Sequence, residues 1–192
     1  LPLVNSKNQR AMDTIVNLQP VLEHDHYLLL PLQADDFEEL YTVASDPKVW
    51  EQHPNKDRWR RDVFTNFFEG ALNSGGAFKV IDKDSMAVVG CTRFYDREPE
   101  NDSIHIGYTF YATNYWGSGA NHAVKRMMLT YIFPYVSKVL FHIGAENLRS
   151  QISIERLGAI KIDEKEVAYY GEGVKKNFVY LIDKSNWQNL EG

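Results

Sequence analysis

The sequence predicts an α/β protein built on one mixed sheet, and three observations carry that expectation. Short apolar runs of strand length recur with turn residues between them; two segments place apolar residues at helical spacing; and the elements alternate so that a meander of strands is followed by strand, helix and strand.

Residues 27–32, YLLLPL, read as a short buried strand, and DDFEELYTVASD after it reads as a helix whose acidic first turn suits the positive end of the helix dipole. From Lys56 to Asn73, Trp59, Val63, Phe64, Phe67, Phe68 and Leu72 recur at helical spacing and predict a second helix with an aromatic face. The irregular linker between them, PKVWEQHPNK, carries Trp50 and His53. AFKVID, MAVVGCTRFYD and SIHIGYTFYA predict three strands, and the polar turns KDS and REPEND between them imply an antiparallel meander. Strict alternation along the third strand puts Ile104, Ile106, Tyr108 and Phe110 on one face and His105, Gly107, Thr109 and Tyr111 on the other.

Ala120, Val124, Met127, Met128, Tyr131 and Ile132 share one face of a following helix, which Pro134 stops. Lys125 and Arg126 lie on its polar side, read as a solvated face ahead of the alternative that they meet a ligand phosphate. VLFHIGA is a buried strand, so strand, helix and strand predict a right-handed parallel crossover. NLRSQISIERLG is the next helix, with Asn147 as N-cap and Gly158 as its stop. Strands around 159–169 and 176–182, separated by the glycine turn YGEGV, close the fold as a C-terminal hairpin. No repeat, low-complexity tract or linker divides the chain, so residues 21–192 read as a single domain after an N-terminal extension or added remnant over 1–20.

A net charge of -5 argues against nucleic acid as the main partner, which calls for a basic face. The single cysteine, Cys91, excludes an internal disulfide framework and a cysteine-based zinc site, and a reducing cytoplasm is the expected compartment. No apolar run reaches the ~20 residues needed to cross a bilayer, so no membrane partner is expected. His24 and His26 are too few ligands for a metal, and none is expected.

The chemistry concentrates in NYWGSGAN, where glycines stand directly before a helix. Bare backbone N–H groups at a helix start can approach an anion closely, although an ordinary tight turn uses the same letters. A dinucleotide fingerprint would need a third glycine where this chain has His122, and a Walker loop would need Gly-Lys-Ser/Thr, which is absent.

IGYTFYATNYWGSGAN and NLRSQISIERLGA together resemble the GNAT acyl-CoA N-acyltransferases, and within them the RimJ/RimL type that acetylates ribosomal protein N-termini. The resemblance implies the GNAT fold, acetyl-CoA as co-substrate and direct transfer to a primary amine, on a protein N-terminus or a small molecule. It assigns the pyrophosphate loop to Trp116, Gly117, Ser118, Gly119, Ala120 and Asn121, and the strand beside the pantetheine arm to Phe110 and Tyr111. It further assigns Asn147 to that arm, Ser150 to the neighbourhood of the sulfur, and Trp50, His53 and Trp59 to the acceptor pocket.

Three positions depart from the family pattern: Asn114 replaces the loop's usual Gln or Arg, His105 an acidic residue before Ile-Gly-Tyr, and Ala123 a Glu. With an ordinary pKa near 6.5, the His105 imidazole suits a general base, and Ser150 or a tyrosine such as Tyr108 or Tyr111 suits the departing thiolate. A second reading keeps the cradle as a non-catalytic acyl-CoA-binding module, and a third makes the chain a nucleotide-binding α/β protein. A homodimer would form through an exposed strand edge or the terminal hairpin.

Overall fold

The computed structural model describes residues 15–168 and 171–191. Residues 1–14, most of the predicted extension, lie outside the described residues, as do Tyr169 and Tyr170 in the predicted hairpin turn. Eight strands form one sheet: β1 (Leu22–Glu23), β2 (Tyr27–Pro31), β3 (Ala77–Asp82), β4 (Val88–Glu98), β5 (Ser103–Tyr111), β6 (Lys138–Gly144), β7 (Ile160–Ala168) and β8 (Val174–Asp183). Their spatial order is β1-β2-β3-β4-β5-β6-β8-β7, and β5 with β6 is the parallel pair among antiparallel neighbours. Meander, crossover and terminal hairpin stand in the order that the resemblance implied.

Five helices accompany the sheet: α1 (Phe37–Ala44), α2 (Arg61–Asn73), α3 (Ala120–Ile132), α4 (Leu148–Glu155) and α5 (Lys184–Glu191). Apolar side chains gather in two clusters. One joins α1 and α2 to Ala77, Ile81 and Phe110; the other joins α3 and α4 to Phe78, Ile104, Ile106 and Tyr111. Alternating strand residues feed the two clusters, as expected of a sheet packed on both faces.

Two elements escape the sequence reading. β1 is two residues long, below any detectable alternation, and α5 is a polar C-terminal helix held through Trp187, which is buried against Phe133. The aromatic helix also starts later than its pattern implies, at Arg61. Residues 56–60 are turns and bends, which leaves Trp59 39% exposed.

A larger correction concerns β5. Against β4, Cys91 pairs with Phe110 and Arg93 with Gly107, so β5 carries one extra residue over that span. Tyr108 absorbs it with a left-handed φ of 52°, the signature of a bulge. Alternation therefore resets: Ile104 and Ile106 face the α3 cluster, Tyr108 and Phe110 the α2 cluster, and Tyr111 returns to the α3 side. Thr109 also turns to α3, where Lys125 reaches it, so His105 and Thr109 do not share the face that strict alternation predicts.

Candidate functional site

β5 and β6 pair only from Ser103 to His105 against Lys138 to Leu140. Beyond that point they part, and a cavity of about 750 Å³ opens between them, a size ordinary for a ligand site. Among its walls are Ile106 to Tyr111 of β5, Phe141 to Gly144 of β6, the loop before α3 and the first turns of α3 and α4.

The glycine loop forms one end. Gly117 and Gly119 have φ of 73° and 88°, conformations that strain any residue with a side chain, and a Cβ at either would meet nothing within 4 Å. The space in front of them is open. Gly119 precedes α3 without a side-chain cap, and the Asn121 and His122 amides find no acceptor among the described residues, so the helix start keeps donors for an anion. Ser118 instead turns its hydroxyl to the Tyr115 carbonyl at 2.7 Å and does not line the cavity. Trp116, Gly117, Gly119, Ala120 and Asn121 do line it. Arg149 lies 3.6 Å over the Trp116 ring, placing a guanidinium beside the cradle.

Asn147 caps α4 as expected: its Oδ1 accepts from the Ser150 amide at 3.1 Å, and both residues line the cavity. Asn121 donates from Nδ2 to Ser153 Oγ at 2.7 Å, tying α3 to α4. Its Oδ1 is buried without a partner, as is the Tyr111 hydroxyl, and both residues stand on the wall. Unmet polar atoms, open glycine backbone and cationic side chains fit a long, polar, anionic ligand such as an acyl-CoA.

The other end is lined by Gln52, His53, Arg58, Tyr95, Tyr108 and His142, among others. Arg58 is buried and bound by both carboxylate oxygens of Glu172, at 2.6 and 2.7 Å. Burial, then the charges of Arg58 and Arg149, push His53 down to about 3, so it is neutral near pH 7. Burial, then the neighbouring His105 and Lys165, push His142 down to about 4, and its Nε2 is buried without a partner.

His105 itself is 5% exposed, sits behind this wall rather than on it, and is lowered by burial. Its Nδ1 lies 3.3 Å from the Asp96 carbonyl and its ring 4.6 Å from that of His142. Phe110, Tyr111 and His53 line the cavity. Trp50, fully buried with its indole N–H donating to the Ala44 carbonyl, does not, and neither does Trp59.

Sequence reasoning missed Arg58 and His142, and it put Lys125 on a solvated side of α3 where the residue is buried. For Lys125 a signal existed: it precedes Met128 and Leu129 by three and four residues and so falls inside the buried stripe of α3. Arg126, by contrast, is exposed and lies over the Trp187 ring. Among the described residues, no group of three or more His, Cys, Asp or Glu side chains is placed to hold a metal ion, and no helix is long and apolar enough to cross a membrane.

A mixed sheet parted between two parallel strands, with a glycine loop at the opening, defines the class: an α/β protein with an open cavity between strands whose lining suits an elongated anionic ligand. Residues 26–160 match the acetyltransferase (GNAT) domain family, most of the chain, and the chain belongs to that family. No curated protein matches it.

Solved structures share the fold. A GNAT-family protein from Chromobacterium violaceum ATCC 12472 has a TM-score of 0.78 at 16% identity, over 98% of this chain and 96% of its own. A GCN5-related N-acetyltransferase from Brucella melitensis has a TM-score of 0.77 at 21% identity, over 90% and 82%. The microcin C7 self-immunity acetyltransferase, solved with acetyl-CoA and AMP, has a TM-score of 0.70 at 14% identity, over 87% and 98%.

Proposed function

We propose that this protein transfers an acetyl group from acetyl-CoA to a primary amine by direct attack within a ternary complex, and that it is of the RimJ/RimL-like type. The observation that carries the proposal is the parting of β5 and β6 beside an open, uncapped glycine loop. Acetyl-CoA supplies an activated thioester carbonyl. The amides of Gly117, Gly119, Asn121 and His122, with Arg149 beside them, hold its pyrophosphate, while the cavity edge of β5 around Phe110 and the Asn147 cap line the path of the pantetheine arm.

The acceptor amine enters from the Gln52, Tyr95 and His142 end. A neutral imidazole held near 4 is too weak a base to strip a free ammonium, but it suits a nitrogen made acidic by bonding to the acyl carbon. His142 Nε2 is the acceptor of that proton, and His105, packed against its ring, is a positioning residue. The Ser150 hydroxyl, on the cavity wall next to the α4 cap, hydrogen-bonds the departing thiolate and relays to it a proton that the hydroxyl regains from solvent.

One observation favours a second reading, a non-catalytic acyl-CoA-binding module: no carboxylate lines the cavity among the described residues. Thermal unfolding with acetyl-CoA, ATP and NAD, followed by an amine panel, separates the readings. A selective rise with acetyl-CoA plus transfer supports the enzyme; a rise without transfer to any amine leaves the module; no rise removes both. His142→Ala is expected to lower kcat by about 10²-fold or more, while His105→Ala lowers it less and changes the pH profile.

A further inference from the structure

Lys125 lies one turn, about 6 Å of helix rise, below Asn121 at the start of α3. It is 3% exposed and stands on the cavity wall. Its ammonium donates to Thr92 Oγ1 at 2.9 Å and Thr109 Oγ1 at 2.6 Å, and these hydroxyls lie 2.9 Å from each other. Neither partner is an anion. Among the described residues no carboxylate forms an ion pair with Lys125, and the titratable group that acts on it is the Cys91 thiol, which burial pushes up to about 11 and so keeps neutral.

A buried ammonium without a counter-ion is costly, and a methionine would fill the same space beside Val124 and Met128. The arrangement is balanced only when the opposite charge arrives from outside. The cradle one turn above is where it can arrive, because its open glycines and uncapped amides select an anion.

We propose that Lys125 is the buried counter-charge for the pyrophosphate-bearing ligand of the glycine cradle, and that seating this anion draws a proton from solvent onto the lysine nitrogen in those molecules where it is neutral. The identity of the ligand, acetyl-CoA, rests on the function proposed above. Burial holds Lys125 down to about 7, so the free protein carries both its charged and neutral forms near neutral pH, and a nearby anion restores the charged one. The other ionisable groups on the packed elements are Cys91, Arg93, Tyr95, Asp96, Arg97 and Glu98 of β4, His105, Tyr108 and Tyr111 of β5, and His122, Arg126 and Tyr131 of α3; His53, Arg58, Tyr115, His142, Arg149 and Arg156 also line the cavity. Burial raises Tyr108 and Tyr111 and keeps both protonated, and a Lys125 variant separates the lysine from the histidines.

The test is calorimetric titration with acetyl-CoA at pH 8 in two buffers of different ionisation heat. Wild type is expected to take up a substantial fraction of a proton, and its affinity to fall between pH 7 and 9. Lys125→Met is expected to take up none, to bind at least about tenfold more weakly, and to melt no lower than wild type without ligand. Lys125→Gln, which keeps a polar contact to the threonines but no charge, should bind as weakly as Lys125→Met. Equal affinity in all three proteins, or no proton uptake by wild type, overturns the proposal. If acetyl-CoA does not bind but inorganic pyrophosphate does so with proton uptake, the acyl-CoA reading fails and the role of Lys125 stands; if neither binds, both fall.

Discussion

Arg58 and Lys125 are both cations only 3% exposed on the wall of one cavity, and the chain treats them in opposite ways. Arg58 is clamped by Glu172, whose side chain is 4% exposed, and lies over the Trp50 and Phe67 rings at 5.5 and 5.1 Å. Its charge is spent internally, joining the segment before α2 to the β7–β8 turn across 114 residues of sequence. Among the described residues, Lys125 meets two hydroxyls and no carboxylate. A buried ion pair with good geometry closes a structure, whereas a buried charge left among neutral partners stores a need that a ligand can meet. One end of the cavity is thus fastened and the other is primed.

The comparison can be broken most forcefully at its paired member. Glu172→Ala leaves the Arg58 guanidinium buried and alone, and should lower unfolding free energy in urea by about 3–5 kcal/mol, while Arg58→Met with Glu172→Leu should restore most of it.

Burial, with the field of that same arginine second, sets the next effect. Because His53 is held near 3, against 6.5 when unfolded, the unfolded chain binds the extra proton between those values. Stability is therefore complete above pH 6.5 and is lost as pH falls toward 3, by about 3 kcal/mol for a partly buried group. His53→Gln should flatten that limb of a stability-versus-pH curve.

Lys125 should show the mirror image of the Glu172 experiment: Lys125→Met raises stability at pH 7 by about 2 kcal/mol. Wild type gains stability as pH rises from about 7 to 10.5, since the unfolded lysine keeps its proton across that window and the folded one does not. The variant should lack this gain in urea unfolding across the same range. The smallest effect belongs to Asn147→Ala, which removes the α4 cap and should cost about 1 kcal/mol, together with weaker acetyl-CoA binding in the titration above.

Much of this architecture is written locally. The apolar runs of β2 to β6 and the stripes of α2 and α3 appear in the letters because strand and helix periods are short-range properties. The Asn147 cap is legible for the same reason, since cap and recipient amide lie three residues apart. The glycine cradle is too: Gly117 and Gly119 announce a backbone that only glycine adopts without strain, and the first turn of α3 lies next to them.

His105 and Thr109 show where legibility stops. Period-two alternation puts them on one face, but the extra residue at Tyr108 is recognisable only against β4, because a bulge is a mismatch between two strands rather than a property of one. The shift turned Thr109 toward Lys125 and left His105 behind His142.

By itself, then, the sequence determined the order of β2 to β8 and α1 to α4, the mixed sheet, the glycine loop and the family these motifs resemble, all of which follow from neighbours within a few positions. Only the tertiary structure decided where β5 leaves β6, which imidazole reaches the cavity, that Glu172 neutralises Arg58 and that nothing within the described chain neutralises Lys125. Those outcomes depend on which distant side chains share a buried space, and desolvation and charge pairing are properties of that space rather than of any residue in it.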